Sequence, residues 1–237
     1  MSNTFFKFKQ FNINQDRCGM KVSTDAVVLG ALAGRNAYES ILDIGTGTAV
    51  IALMLAQRFE TAKVLGVEID TEAFGQAVEN IKESKFAERV IALNQDFQTY
   101  SDKSEQEFDM IISNPPYFPD HIKTKDAQRN KALHNDALSF AELVAGVSKC
   151  LKKSGEFWVI LPPRQMQDLD NICKSHQLFP FHKVNLKDKQ ESKIIRVIQG
   201  FSYLNESTLE HELFIKNPDG SFADAYQKLL KDFLLIF

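Results

Sequence analysis

The chain has 237 residues, of which 44% are hydrophobic and 25% charged, which is typical of one soluble α/β domain with a substantial core. No stretch approaches the roughly 20 apolar residues of a membrane span, and the start MSNTFFKFKQF lacks the apolar region of a signal peptide. Cys18, Cys150 and Cys173 are far apart with no CxxC spacing, so we expect neither a disulfide framework nor a zinc site, and a cytoplasmic location.

The predicted elements begin with a helix over 24–34, which has Thr24 or Asp25 as its N-cap, and then alternate between strands and helices. The predicted strands cover 40–45, 63–70, 89–96, 108–113 and 156–162, and the helices between them cover 49–59, 71–84 and 137–153. Gly155 marks the end of the last helix. Short apolar strands separated by helices predict a parallel sheet covered on both faces, with ligands at the carboxyl ends of its strands.

The pattern changes after Pro162. Residues 177–188 and 192–204 predict two strands joined by a charged connection, which is typical of an antiparallel hairpin. Residues 208–220 predict a further strand, and 222–237 predict a C-terminal amphipathic helix. Because no repeat and no Gly-, Ser- or Pro-rich linker interrupts the chain, we expect a single domain over 1–237.

The net charge of −3 argues against a nucleic-acid partner, but the charge is unevenly distributed. Residues 36–120 contain 6 Lys/Arg and 15 Asp/Glu, a net charge of −9, whereas segments 1–35, 121–135 and 182–200 each have a net charge of +3. Each basic segment alone is typical of a solvated loop. Together with the aromatic and basic start FFKFKQF, the three segments favour RNA as a partner.

The first strand–helix turn, LDIGTGTAVIA, places Asp43, Gly45 and Gly47 where the backbone must turn tightly and let a ligand approach. Positions 49 and 50 hold alanine and valine, so the third glycine of a dinucleotide fingerprint is absent. No GK[ST] follows, which excludes a P-loop.

Three more side chains follow at the ends of the next strands. Glu68 lies 23 residues after Gly45, where a carboxylate accepts hydrogen bonds from ribose hydroxyls. At the end of the third strand, Asp96 is suited to accept from an adenine amino group, and Phe97 to pack on its face. Each carboxylate alone could equally be a helix N-cap or a surface charge.

The fourth predicted strand ends in Asn114-Pro115-Pro116-Tyr117. Asparagine and proline are ordinary turn residues, and a simple turn is the alternative interpretation. The sharper hypothesis is a site for a flat molecule with an amino group, since this stiff turn places an amide beside an aromatic ring.

The order DIGTGT, GVEID, NQDF, NPPY resembles the class I S-adenosylmethionine-dependent methyltransferases. With FKFKQFNINQDRCGMKVSTDAVVLGALA and RNKALHNDALSFAELV, the chain is similar to the bacterial tRNA(Val) adenine N6-methyltransferases, which modify the adenosine on the 3′ side of the anticodon. This resemblance is strong to about residue 165. It implies a Rossmann-like, doubly wound and mostly parallel seven-stranded sheet over 36–237 with an antiparallel C-terminal hairpin, and an N-terminal segment 1–35 that contacts RNA and cofactor.

The resemblance also implies S-adenosylmethionine as the cofactor and a role for each residue. The cofactor-binding residues implied are Lys21, Thr24, Asp43, Gly45, Gly47, Glu68, Asp96, Phe97 and Asn114. The catalytic residues implied are Asn114, Pro115, Pro116 and Tyr117. Asn114 and the Pro115 carbonyl accept the two N–H groups of the adenine amino group, and Tyr117 stacks on the base. This chemistry requires no metal and no covalent nucleophile.

The basic residues expected to bind tRNA are Lys7, Lys9, Lys123, Lys125, Arg129, Lys131, Lys187, Lys189 and Lys193. We expect no membrane and no metal partner, and a monomer, although the sequence leaves the oligomeric state open. Three alternatives remain: a glutamine N5-methyltransferase of peptide release factors, a guanine N2-methyltransferase of ribosomal RNA, and a non-catalytic RNA-binding module.

Overall fold

The structure, a computed structural model, describes residues 4–116 and 138–237. In these ranges the chain forms β1 (Phe5–Lys7), β2 (Asn12–Asn14), α1 (Thr24–Leu32), β3 (Ser40–Ile44), α2 (Val50–Arg58), β4 (Lys63–Glu68), α3 (Thr71–Glu83), β5 (Val90–Asn94), α4 (Phe97–Lys103), β6 (Phe108–Ser113), α5 (Phe140–Cys150), β7 (Leu151–Leu161), α6 (Pro163–Ser175), β8 (Phe179–Lys187), β9 (Ile194–Ser202), β10 (Leu209–Phe214) and α7 (Asp224–Leu230).

The central sheet has the strand order β10-β8-β9-β7-β6-β3-β4-β5. All of its neighbouring pairs are parallel except those made by β9, which runs antiparallel to both β7 and β8. This confirms the predicted doubly wound, mostly parallel sheet and its C-terminal hairpin. The sheet has eight strands rather than seven because β10 adds to β8 in parallel register, from Leu209 opposite His182 to Phe214 opposite Lys187.

The chain reverses its direction of travel across the sheet at β3. It runs outward from β3 to β4 and β5 and then returns to β6 on the other side of β3. The carboxyl ends of β3 and β6 are therefore adjacent, with Ile44 opposite Ser113 and the Ser113 hydroxyl donating to the Ile44 carbonyl at 3.0 Å. Doubly wound sheets bind ligands in the crevice at such a point.

The sheet separates two layers of buried apolar side chains. Alternate residues of β7 show the separation: Trp158 and Ile160 face the layer formed with α1, α2, α3 and α7, whereas Phe157 and Val159 face α4, α5 and α6. All four side chains are fully buried. Of the helices described, none has the length and apolar character to cross a membrane.

Gly155 does not end a helix. Helix α5 ends at Cys150, and Gly155 lies inside β7, where the register against β6 shifts between Phe108 and Met110. A Cβ at Gly155 would lie 2.7 Å from Leu151 Cδ1 and 3.0 Å from the Phe108 carbonyl oxygen. Gly155 therefore permits the backbones of β6 and β7 to approach closely at this irregular pairing. In the sequence, a glycine after a helical stretch has the same appearance as a helix end.

Other predictions for the helices also differ from the structure. The N-cap of α1 is Ser23, whose side chain accepts from the Ala26 amide, rather than Thr24 or Asp25. The C-terminal helix is shorter, covering Asp224–Leu230. Helices α4 and α6 were not predicted from the sequence. For α6 the helix signals are the proline at its start and the 3–4 residue spacing of Met166, Leu169 and Cys173.

Candidate active site

A cleft of about 640 Å³ lies at the carboxyl ends of β3, β4, β5 and β6. Its lining includes these residues predicted from the sequence: Lys21, Gly45, Gly47, Glu68, Asp96, Phe97, Asn114, Pro115 and Pro116. The cleft thus joins the four strand ends that the parallel-sheet rule places at one edge. Within residues 4–116 and 138–237, no three or more His, Cys, Asp or Glu side chains are grouped as metal ligands would be.

The glycine turn after β3 is left-handed at three positions, with φ of 69° at Gly45, 57° at Gly47 and 65° at Ala49. A Cβ at either glycine would meet no atom within 4 Å, because both glycines border the open cleft. Their backbone conformation, rather than crowding, therefore favours glycine. The bare backbone of this turn fits a ligand that approaches closely.

Asp43 lies beneath the glycine turn rather than in the cleft wall. Its side chain is fully buried and its Oδ2 accepts a hydrogen bond from the Thr46 hydroxyl at 2.7 Å. Burial raises the pKa of Asp43 to about 7; the hydrogen bond from Thr46 opposes this rise, and the negative charge of Glu68 adds to it. The Thr46 side chain in turn packs against Gly66 of β4, where a Cβ would lie 2.7 Å from Thr46 Cγ2. Asp43 thus holds the turn from below.

Glu68 joins the turn after β4 to the glycine turn. Its Oε2 accepts from the Gly47 amide at 2.8 Å, and its Oε1 accepts from the Asp70 amide at 2.9 Å. The residue is only 8% exposed, so both hydrogen bonds are shielded from water. A carboxylate has about four acceptor sites, so two remain for hydroxyl donors such as those of a ribose. The fixed carboxylate therefore fits the ribose of the expected cofactor.

Asp96 lies two residues beyond β5 and is the N-cap of α4. Its Oδ1 accepts from the Thr99 amide at 2.7 Å, and this hydrogen bond holds the pKa of Asp96 below its usual value. The N-cap alternative is thus correct for Asp96, which also borders the cleft. Phe97 is 4% exposed and packs against Gly146 of α5, where a Cβ would lie 2.5 Å from the ring. Most of Phe97 therefore belongs to the core, and only a small part borders the cleft.

Asn114 follows β6 directly and is half-buried, Pro115 is buried and Pro116 is exposed. All three border the cleft that the glycine turn and Glu68 also border. Tyr117 lies outside the residues that the structure describes. The arrangement brings an amide side chain and a proline-restricted backbone carbonyl to the same cavity as the expected cofactor residues.

The segment before α1 forms the remaining wall of the cleft, through Cys18, Gly19, Met20, Lys21 and Ser23. Thr24 is exposed at the first position of α1 and is not in the lining, which has Ser23 in its place. The lining also contains residues that were not predicted from the sequence. Thr48, Ile69 and Gln95 each lie next to a predicted site residue, so a predicted neighbour was the available signal. Leu138 and the apolar residues Ala26, Val50, Ile51 and Ala73 had no such signal.

The basic residues of the N-terminal segment make local contacts. The Lys7 ammonium lies 5.6 Å from the centre of the Phe5 ring. The Lys9 ammonium donates to the backbone carbonyls of Lys231 and Phe237, and its amide donates to the Phe233 carbonyl at 2.8 Å. Lys9 thus attaches the N-terminal segment to the C-terminal end of the chain. That Lys7 or Lys9 contacts RNA stays a prediction.

The connection between β8 and β9 lies at the same edge of the sheet as the cleft, because β8 runs parallel to β6 and β7. Lys187 forms an ion pair with Glu212 at 2.5 Å, Lys189 donates to the Pro218 carbonyl at 3.2 Å, and Lys193 is exposed. The remaining predicted RNA-binding residues, Lys123, Lys125, Arg129 and Lys131, lie outside the described residues.

Comparison with solved structures supports the fold. A predicted O-methyltransferase from Agrobacterium tumefaciens has a TM-score of 0.71 at 17% identity, covering 88% of this chain and 96% of its own. A methyltransferase from Pyrococcus furiosus has a TM-score of 0.53 at 20% identity, covering 74% of this chain and 80% of its own. At these identities the likeness concerns the fold alone.

Comparison of sequences shows the family. The Methyltransferase small domain family matches residues 23–177. A Bacteroides fragilis (strain YCH46) protein named tRNA1(Val) (adenine(37)-N6)-methyltransferase is 42% identical over 236 residues, covering 99% of each chain. Proteins of the same name from Pedobacter heparinus and Photorhabdus laumondii are 41% and 36% identical, covering 98% of this chain and 98% and 96% of their own. The chain therefore belongs to the tRNA1(Val) (adenine(37)-N6)-methyltransferase family, within the small-domain methyltransferases.

Proposed function

We propose that the protein transfers a methyl group from S-adenosylmethionine to the exocyclic N6 of the adenosine next to the anticodon in tRNA(Val). The observation that carries this proposal is the position of Asn114 and Pro115, which border the same cleft as the glycine turn and Glu68. The names of the relatives with 36–42% identity support adenine N6 and tRNA over the other amino-group substrates.

The cleft residues bind the cofactor in three parts. The Gly45–Gly47 turn takes the homocysteine part, supported from below by Asp43, and Lys21 supplies a cation for its carboxylate. Glu68 accepts from the ribose hydroxyls, and Asp96 accepts from the adenine amino group. When bound, the cofactor supplies an electrophilic methyl group on a sulfonium centre. Thr24 is exposed and is not in the lining of the cleft, so we assign it no contact with the cofactor.

Asn114 and Pro115 act on the amino group of the substrate base. The lone pair of an exocyclic amino group is delocalised into the purine ring, which makes the nitrogen a poor nucleophile. The Asn114 side-chain carbonyl and the Pro115 backbone carbonyl each accept one N–H, which localises the lone pair on nitrogen and directs it towards the methyl group. The stiff backbone of the two prolines keeps the second acceptor in place. Because asparagine is not basic, the proton released after transfer goes to water.

The adenine must leave its base stack to enter the cleft, as a base of an anticodon loop can. Tyr117 supplies a ring on which the base stacks, an interaction worth about 1–3 kcal/mol. The β8–β9 connection, with Lys189 and Lys193, lies at the same edge of the sheet as the cleft. An RNA backbone that binds these lysines therefore approaches the cleft from the side of β7. The basic residues of 121–135 lie outside the described residues, and we expect them to add phosphate contacts.

The test is a comparison of substrates with S-adenosylmethionine labelled in its methyl group. Total tRNA, ribosomal RNA and a peptide release factor are incubated separately with the protein, and the labelled product is identified by mass spectrometry. We expect N6-methyladenosine in tRNA. Methylation of the release-factor glutamine, or N2-methylguanosine in ribosomal RNA, would support methyl transfer to an amino group in the cleft. Either product would refute the adenosine of tRNA as the substrate. No labelled product in any sample would favour a non-catalytic RNA-binding module.

A further inference from the structure

Helix α3 contains two amide side chains that are almost completely buried, Gln76 at 0% and Asn80 at 1% exposure. They lie one helical turn apart, so they share one face of the helix. Amides at this depth destabilise a protein unless their donors and acceptors are paired. The partners of both side chains lie in the N-terminal segment and in the glycine turn, far from α3 in sequence.

Asn80 joins three segments of the chain. Its Oδ1 accepts from the Asn14 amide at 2.8 Å, and its Nδ2 donates to the Asn14 carbonyl at 3.0 Å. The same Nδ2 also donates to the Thr48 carbonyl of the glycine turn at 3.0 Å. One side chain thereby fixes the distance between the backbone of residue 14 and the turn that borders the cofactor cleft.

Gln76 binds the next part of the segment. Its Oε1 accepts from the Arg17 amide at 3.1 Å, and its Nε2 donates to Asp16 Oδ1 at 2.7 Å. A third buried amide, Gln15 at 4% exposure, accepts from the Val22 amide at 2.8 Å and so closes the loop between residues 15 and 22. That loop contains Cys18–Lys21, which form the N-terminal wall of the cleft.

Helix α3 itself starts at the wall of the cleft that contains Glu68, the ribose-binding wall, since its N-cap Asp70 lies two residues after Glu68 and also borders the cleft. The helix is therefore joined to the ribose-binding wall at its start, to the N-terminal wall through Gln76 and Asn80, and to the glycine turn through Asn80. We propose that Gln76 and Asn80 are positioning residues that hold the N-terminal wall over the cofactor and so set the width of the cleft. This inference rests on the proposed function, because it takes S-adenosylmethionine as the occupant.

The alternative is that the two amides only stabilise the fold. A matched control separates the two interpretations: Gln199 of β9 is also buried, at 4% exposure, and donates to Asp170 at 3.2 Å, but it does not border the cleft. Gln76→Ala, Asn80→Ala and Gln199→Ala are compared by thermal melting, by calorimetric titration with S-adenosylhomocysteine, and by the rate of tryptic cleavage after Arg17 and Lys21. Asp16→Ala and Asp16→Asn form a second pair, because asparagine keeps an oxygen for the Gln76 amide.

We expect Gln76→Ala and Asn80→Ala each to raise the dissociation constant of S-adenosylhomocysteine by about tenfold and to speed cleavage of the segment, since each loses hydrogen bonds at both polar atoms of its amide. Gln199→Ala should lower the melting temperature while keeping affinity within about twofold. Asp16→Asn should bind more tightly than Asp16→Ala.

If the wild type binds S-adenosylhomocysteine and both Gln76→Ala and Asn80→Ala bind it with unchanged affinity, the positioning role is overturned. The proposed function is then unaffected. An equal loss of affinity in Gln199→Ala would also overturn the positioning role, because the loss would then follow stability. A wild type that binds no S-adenosylhomocysteine would instead overturn the proposed function, and the cofactor part of this inference with it.

Discussion

Replacing Glu68 with alanine removes the best-defined polar group of the cofactor cleft. The carboxylate accepts one backbone amide from each of two turns, at 2.8 and 2.9 Å, and is 8% exposed, so water screens it little. A hydrogen bond to a charged group is worth roughly 1.5–3 kcal/mol, so loss of one ribose bond should weaken binding roughly 10- to 150-fold. The Gly47 and Asp70 amides also lose their acceptor, which should lower the free energy of unfolding by roughly 1–3 kcal/mol for each that stays buried.

The assay is calorimetric titration of wild type and Glu68→Ala with S-adenosylhomocysteine, together with denaturant unfolding of both proteins. Glu72→Ala is the control, because Glu72 carries the same charge in the first turn of α3 but is exposed and does not border the cleft. We expect the control to bind as the wild type does. Affinity of Glu68→Ala within about twofold of the wild type would refute the assignment of Glu68 to the ribose.

Two further predictions concern pH and salt. The pKa of Asp43 is raised from 3.8 to about 7, so the folded state binds the carboxyl proton of Asp43 more tightly than the unfolded state does. Protonation of Asp43 therefore stabilises the folded state at low pH, and this stabilisation is lost as the pH rises towards 7. Unfolding measured from about pH 5 to about pH 8 should therefore show Asp43→Asn gaining stability relative to the wild type, and a pH-independent difference would contradict the burial argument. Replacing Lys189 and Lys193 by glutamine should flatten the log–log dependence of tRNA affinity on salt by about 0.7–0.9 for each phosphate that the variant no longer neutralises. An unchanged slope would mean that these lysines only solvate the surface.

The sequence predicts the strand ends of this protein well because parallel strands place their carboxyl ends at one edge. Gly45, Glu68 and Asn114 are separated by up to 69 positions in sequence, yet each directly follows or ends a strand whose apolar run is short and unambiguous. Once the strands are recognised, the rule for doubly wound sheets brings the three residues together. No knowledge of side-chain packing is needed for that step.

The N-terminal wall could not be predicted in the same way. Its position depends on Gln76 and Asn80, which in the sequence are ordinary polar residues of an amphipathic helix. Only the three-dimensional pairing with residues 14–17 distinguishes them from solvent-facing amides. For the same reason the sequence does not reveal that Lys9 donates to carbonyls near the C-terminus, or that Lys187 is paired with Glu212.

Local patterns are ambiguous where one residue type serves two purposes. Gly155 follows a helical stretch and is typical of a helix end, but it permits an irregular strand pairing beside Phe108. Asp96 follows a strand in the manner of a ligand-binding carboxylate, and it also starts α4, a helix too short and polar to show a clear periodicity. For Gly155 the tertiary structure decides between the two interpretations, whereas for Asp96 it shows the N-cap and the adenine contact stays a prediction.

The most direct test of the account is single-turnover methylation of tRNA by the wild type and by Asn114→Ala, with the methylated nucleoside identified by mass spectrometry and cofactor affinity measured in parallel. Asn114 should stabilise the transition state more than the bound substrate, because its hydrogen bond strengthens as the nitrogen becomes tetrahedral. We expect N6-methyladenosine from the wild type and a rate lower by about a hundredfold or more in Asn114→Ala, with cofactor affinity within a few-fold. Near-normal turnover by Asn114→Ala would mean that Asn114-Pro115-Pro116 is only a turn, and a wild-type product other than N6-methyladenosine would contradict the proposed substrate.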